Sequence, residues 1–169
     1  MLVIDFPLRA VFIALNTLYK YGLEGENMNE KAKITIEVHV NTIIDIAWAS
    51  FISEESIIHW NHASEDWRCP WAKNDLRVGG EFSYRMEAKD GSFGFDFGGK
   101  YLEIEDKKKI AYELGDGRRV EVYFAKDEGK TKITETFEAE NQNTLERQKN
   151  GWQAILNNYK FYTENGFKS

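Results

Sequence analysis

Few residues in this sequence could do chemistry, and Glu135 leads them. In "TKITETFEAE" strict alternation puts Thr131, Ile133, Glu135 and Phe137 on one face of a strand. A carboxyl group buried among aliphatics and rings has its pKa raised, as a general acid or base requires, and as also suits a group that hydrogen-bonds a ligand. Glu135 is therefore the candidate acid/base. No paired acid, activated serine or phosphate-cradling glycine loop accompanies it, so no catalytic residue is assigned beyond that candidacy. His59 and His62 in "HWNH" have a spacing that can put two imidazoles on one helical face for a metal. Only Glu65, Asp66 or Cys69 on the next loop could complete such a set, and the reading assigns no metal. Cys69 with His62 as base would form a nucleophilic pair. Its neighbours Trp67, Pro70 and Trp71 do not favour that role.

A second constellation lies near the C-terminus, in "RQKNGWQAILNNYKFY" (147–162). Leu145, Trp152, Ile155 or Leu156, Tyr159 and Tyr162 recur at helical spacing. Gln148 and Gly151 interrupt that stripe, and a mid-helix glycine costs about 1 kcal/mol relative to alanine. An amide and a notch beside a tryptophan make sense if the helix faces a cavity.

The elements that would position these groups follow from patterning. "KITIEVHV" alternates as a half-buried strand, followed by two short helices with Asn41 or Thr42 and then Ser53 as N-caps, and Ile43, Ile44, Ala47 and Phe51 on the first buried face. A loop carrying Trp60, Trp67 and Trp71 comes next. These indoles read either as a lid or as a plug of core, with Trp71 the one most suited to packing. Six strands follow, bent at Gly79–Gly80 and Gly98–Gly99 and turned at Asp90-Gly91, Asp116-Gly117 and Glu128-Gly129. The charge run at 103–109 reads as a solvated turn. Asn143, with Glu146 three residues on, reads as a capping box for the last helix, and Asn165-Gly166 ends it. Antiparallel strands in series with helices at the ends indicate an α+β fold.

Composition bounds the rest. The 169 residues suit one domain, and eleven Phe, eight Tyr and five Trp are many rings to bury. A net charge of −6 disfavours nucleic acid and anionic membranes as partners. A single cysteine suits a reducing cytoplasm. Residues 1–30 read as an N-terminal extension, either an upstream start or an addition with little packing, and neither a signal peptide nor a membrane span. Residues 31–169 read as the folded domain.

Strand alternation gives the faces. Phe82, Tyr84 and Met86 share one side, as do Phe93, Phe95 and Phe97, then Ile110, Tyr112 and Leu114, then Val120, Val122 and Phe124. From these faces Phe82, Tyr84, Met86, Phe95, Phe97 and Tyr112, together with Trp60, Trp67, Phe137, Trp152 and Ile155, would wall a cavity in which Glu135 and Gln148 orient a polar group of the ligand. The plainer alternative leaves Gln148 wet at a rim and pairs Glu135 with Arg85 or Arg147.

The blocks "NHASEDWRCP", "NDLRVGGEFSYRMEAKDGSFGFDFGG", "GDGRRVEVYF", "TKITETFEAE" and "QKNGWQAILNNYK" resemble the START-like (SRPBCC) superfamily. Within it they resemble the branch named after the C-terminal domain of the activator of the heat-shock protein 90 ATPase. The resemblance implies a helix-grip fold: a curved seven-stranded antiparallel sheet wrapped around a long C-terminal helix, with two short helices between strands one and two. It implies binding of a small apolar or aromatic ligand, or a chaperone partner in a stress response, or a cyclase- or hydrolase-like activity, for which Glu135 is the candidate by its place on the strand face rather than by any shared motif. No cofactor is expected, and the chain is read as a monomer or, through exposed rings of the Trp-rich loop, a homodimer.

Overall fold

Alternation decides the burial of each long strand in the computed structural model, which describes residues 31–167. The N-terminal extension lies outside the described residues. Strand β1 (Lys33–Val40) buries Ile34, Ile36, Val38 and Val40 and exposes the residues between them. Helices α1 (Ile44–Ile52) and α2 (Glu54–Trp60) follow. Short strands β2 (Trp67–Arg68) and β3 (Ala72–Asn74) precede β4 (Glu81–Ala88), β5 (Gly94–Glu105), β6 (Lys109–Leu114), β7 (Arg119–Asp127) and β8 (Lys130–Glu138). The long helix α3 (Leu145–Asn165) ends the fold.

One antiparallel sheet runs in the order β1-β8-β7-β6-β5-β4-β2, and β3 also pairs with β4. Trp67–Arg68 lie opposite Ala88–Glu87, and Ala72–Asn74 opposite Tyr84–Phe82. The two short strands thus share the seventh position of the sheet. They fall in a segment read from sequence as loop, and residues 75–78, just ahead of the Gly79–Gly80 bend expected within strand, instead form the turn before β4, closed by Gly79 at φ +81°. The sheet bends where Phe82 lies across the strand from Gly99: a Cβ on Gly99 would come within 3.0 Å of the Phe82 ring and 2.5 Å of the Glu113 carbonyl oxygen. The Glu128-Gly129 turn holds both residues at positive φ, as a two-residue hairpin demands.

Helix ends differ from the expected caps. Ile43 takes the N-cap position of α1, more than half exposed and without a side-chain bond, rather than Asn41 or Thr42. Ser53 holds the N-cap position of α2 without a side-chain bond. Thr144, not Asn143, caps α3, its hydroxyl accepting from the Arg147 N–H at 3.2 Å. Asn143 belongs to the preceding loop, where the Glu140 carboxylate accepts its N–H and its side-chain amide. Leu145 is exposed, one turn ahead of the buried stripe.

Helix α3 lies along β1 and seals its free edge. Gln153 donates to the Glu37 carbonyl at 3.2 Å, Lys160 donates to the His39 carbonyl at 2.5 Å, and the Asn41 N–H donates to the Glu164 carboxylate at 2.6 Å. An open strand edge invites pairing with another chain, and two of these bonds occupy edge carbonyls in the C-terminal half of β1. The turn at 103–109 is more than a solvated run: Lys107 pairs with Asp45 of α1 at 2.5 Å, and Lys109 pairs with Glu103 at 2.6 Å. This is a helix-grip fold.

Candidate functional site

The C-terminal half of α3 packs tightly. Leu156 and Tyr159 are buried, the Tyr159 hydroxyl donates to the Ala47 carbonyl at 2.6 Å, and Thr163 hydrogen-bonds Ser50 at 2.8 Å. Phe51 and Trp60 meet the Tyr159 ring edge-on. The N-terminal half stands away from β4, β5 and β6, leaving a cavity of about 220 Å³.

Trp60, Trp67, Phe82, Tyr84, Met86, Phe95, Phe97, Tyr112, Glu135, Gln148, Trp152 and Ile155 all line that cavity. Phe137 does not. It is fully buried beneath Trp152, the two rings stacked at 4.1 Å and 14°, so it props the wall from behind. Trp152 also meets Phe97 edge-on at 5.9 Å. Gly151 lies on the lining, and a Cβ placed there would touch nothing within 4 Å. Of the three loop indoles, Trp60 and Trp67 are buried against the cavity. Trp71, expected to pack, is exposed on the surface with the Lys73 ammonium 6.0 Å from its ring.

Glu135 occupies the sheet wall at 7% exposure, between Ile36 of β1 and Val122 of β7. Burial raises its pKa from 4.5 to about 7, opposed only by a hydrogen bond from the Tyr112 hydroxyl at 3.4 Å. Arg85 is not its partner: it points to the other face of β4, where Asp96 and Glu87 hold it. Burial, then the nearby Glu135 charge, keeps the Tyr112 phenol protonated far above its ordinary range.

Gln148 is buried, but its amide serves the chain. Its Oε1 accepts from the Glu140 N–H at 2.9 Å, and its Nε2 donates to the carbonyls of Glu140 and Asn143. The expected role in orienting a ligand gives way to that of a clamp between α3 and the loop after β8. Glu140, a second carboxylate at the cavity, accepts backbone N–H groups of Gln142 and Asn143. One acid, Glu135, is therefore left on the wall with capacity to bind.

The histidines separate. His59 stacks on Tyr162 at 5.2 Å, while His62 takes hydrogen bonds from Asn158 at both its ring and its carbonyl. Among the described residues no group of three or more His, Cys, Asp or Glu side chains could hold a metal. The Cys69 thiol is buried, donates to the Trp71 carbonyl at 3.4 Å and is pushed up to about 11 by burial, the opposite of an activated nucleophile. No helix among the described residues is long and apolar enough to cross a membrane.

Sequence reasoning missed several lining residues. Tyr101, whose hydroxyl donates to Asn74 at 2.5 Å, continues the face of Phe95 and Phe97 ahead of the bulge at Leu102, so the same alternation was its signal. Asn61 lies on the lining and donates to the Met86 sulfur at 3.1 Å. Arg118 reaches the rim from the β6–β7 turn, fixed to Asp116 at 2.7 Å. The Asp-Gly turn beside Arg118 was a usable signal, since it returns the chain over the sheet; Asn61 and Asn74 gave none.

Residues 41–164 match the family described as activator of Hsp90 ATPase homolog 1-like protein. An AHSA1-like protein of Aeromonas hydrophila, solved in solution, shares 40% identity over 82% of this chain and 99% of its own, with a TM-score of 0.74. A protein of Cytophaga hutchinsonii shares 46% identity over 79% of this chain and 92% of its own, with a TM-score of 0.70. A protein of Chromobacterium violaceum, at 19% identity, 79% and 98% coverage and a TM-score of 0.71, is alike in fold. No curated protein matches the chain.

Proposed function

We propose that this chain, which belongs to the activator of Hsp90 ATPase homolog 1-like family, binds a small, mainly apolar ligand between its sheet and the first half of α3. The observation that carries this reading is the contrast inside the cavity: ring-rich walls, an empty notch at Gly151, and one buried acid with spare capacity. A solid core would have little use for a glycine over open space or for an acid at 7% exposure. Saturable binding of the neutral fluorophore N-phenyl-naphthylamine tests it. Wild-type protein is expected to bind one equivalent, and folded Trp152→Ala to lose that binding. Failure of wild-type protein to bind, together with a clean unliganded mass for the protein purified from cells, would overturn the reading.

The family's description supports a second reading, contact with a chaperone through the exposed surface. Association with a purified heat-shock protein 90 that weakens as salt is added, and that survives Trp152→Ala, would favour it. Catalysis has less support, because Glu135 has no partner acid free to share the work.

A further inference from the structure

Glu135 narrows the chemistry of the ligand, an inference that rests on the cavity reading above. We propose that the cavity accepts a hydrophobic amine: an aromatic or aliphatic body carrying a primary or secondary ammonium that donates to the Glu135 carboxylate.

A carboxylate has two oxygens and about four acceptor sites. Glu135 accepts one bond, at Oε1, from a tyrosine hydroxyl 3.4 Å away, beyond the usual range for O–H···O. Among the described residues no side-chain polar atom is fully buried without a partner. Oε2 takes no bond, so it must reach accessible space, and Glu135 lines the cavity. The acid is thus aimed into the site with its stronger acceptor capacity unused.

The surroundings favour a cation as the partner. Flanking positions on β1 and β7 are Ile36 and Val122, which offer neither charge nor hydrogen bond. The cavity's other ionisable groups are the hydroxyls of Tyr112, Tyr84 and Tyr101, the Arg118 guanidinium held by Asp116, Glu140 spent on backbone N–H groups, and Arg147 on α3. Burial keeps the three phenols neutral, so they can accept from an ammonium as well as donate. Trp152, Phe82 and Phe97 supply ring faces of the kind that attract organic cations. An ammonium at Oε2 would offset the burial that pushes the carboxyl up to about 7.

A matched set of probes separates this claim from the cavity reading: tryptamine, tryptophol and indolepropionate, which share one indole-ethyl body and differ in the terminal group. Calorimetry on wild type and Glu135→Gln at pH 8 is expected to give tryptamine an advantage of about tenfold or more over tryptophol, lost in the variant. Circular dichroism checks that the variant is folded, and the readout is the ratio of tryptamine to tryptophol affinity within each protein, expected to collapse toward one in Glu135→Gln. In wild type, tryptamine affinity should rise as pH is raised through about 7 and Glu135 ionises, while tryptophol stays flat. Tryptophol binding as well as or better than tryptamine would overturn the amine proposal and leave the cavity standing. Preference for indolepropionate would overturn it in favour of the arginines at the rim. Failure of all three in protein that binds N-phenyl-naphthylamine would overturn the amine proposal and leave the cavity standing, and failure of that fluorophore as well would overturn both.

Discussion

Along the second half of α3, Tyr159 and Thr163 meet partners from α1 and α2, and the Tyr159 hydroxyl is anchored to a carbonyl at 2.6 Å. Along the first half, Gly151 faces space and Trp152 leans on Phe137 beside a cavity. One helix therefore carries two kinds of interface. The first is closed by side chains that fit, as stable interiors are. The second is left incomplete around an acid that costs stability at neutral pH. The lesson is that ring content alone does not separate core from site, because both halves are rich in rings. Unused hydrogen-bonding capacity and unfilled volume do.

Four substitutions would break or sharpen this contrast. The largest effect is expected from Tyr159→Ala in the closed half: about 3–5 kcal/mol of stability lost in denaturant unfolding, from a fully buried ring and its hydroxyl bond. A loss no greater than that of Trp152→Ala would erase the distinction between the halves.

Glu135→Gln should move in the opposite direction. A carboxyl with a raised folded pKa adds stability below its unfolded value, and that stability is lost as pH rises through the folded value. With 4.5 and about 7 as those limits, the variant should gain on wild type across that window. The gain should level off above it at on the order of 2–3 kcal/mol, with little difference below pH 4.5. Unfolding curves at several pH values check this; parallel curves would mean that Glu135 is solvated.

Trp152→Ala should cost roughly 2 kcal/mol, less than a fully packed tryptophan, because one side of the ring already faces empty space. It should nevertheless abolish probe binding, a ratio of function to stability opposite to that of Tyr159→Ala. Smallest is Gly151→Ala, expected to stabilise by about 1 kcal/mol through helix propensity, since the new methyl meets nothing within 4 Å. A destabilised Gly151→Ala would show that the notch is filled.

Alternation made the strand faces legible: the residues of β4, β6, β7 and β8 read as inward are all buried, Glu135 among them. A period of two says which face a side chain takes but not its depth, which is why Phe137 looked like lining when Trp152 covers it. Nor does it apply to strands of two and three residues, so β2 and β3 were hidden within a loop. Gln148 was rightly seen as out of place in an apolar stripe. Its partners are backbone groups of an irregular loop, which no side-chain pattern announces. Trp71 misled because residue type was weighed over place; it follows Pro70 at the open edge of the sheet, where a ring has no second layer to enter.

The pairing of β1 with β8 sets Lys33 opposite Glu138, and α3 then seals the outer edge of β1 through bonds reaching to Glu164. During synthesis the chain emerges N-terminus first, so β1 leaves the ribosome roughly a hundred residues before its neighbour strand and longer still before its covering helix. Until then both edges of an alternating strand stand open. Strands β4 to β8 pair with their neighbours in sequence and can form hairpin by hairpin, whereas β1 has to wait for β8, so the first strand of the described domain to be made is among the last to find its place.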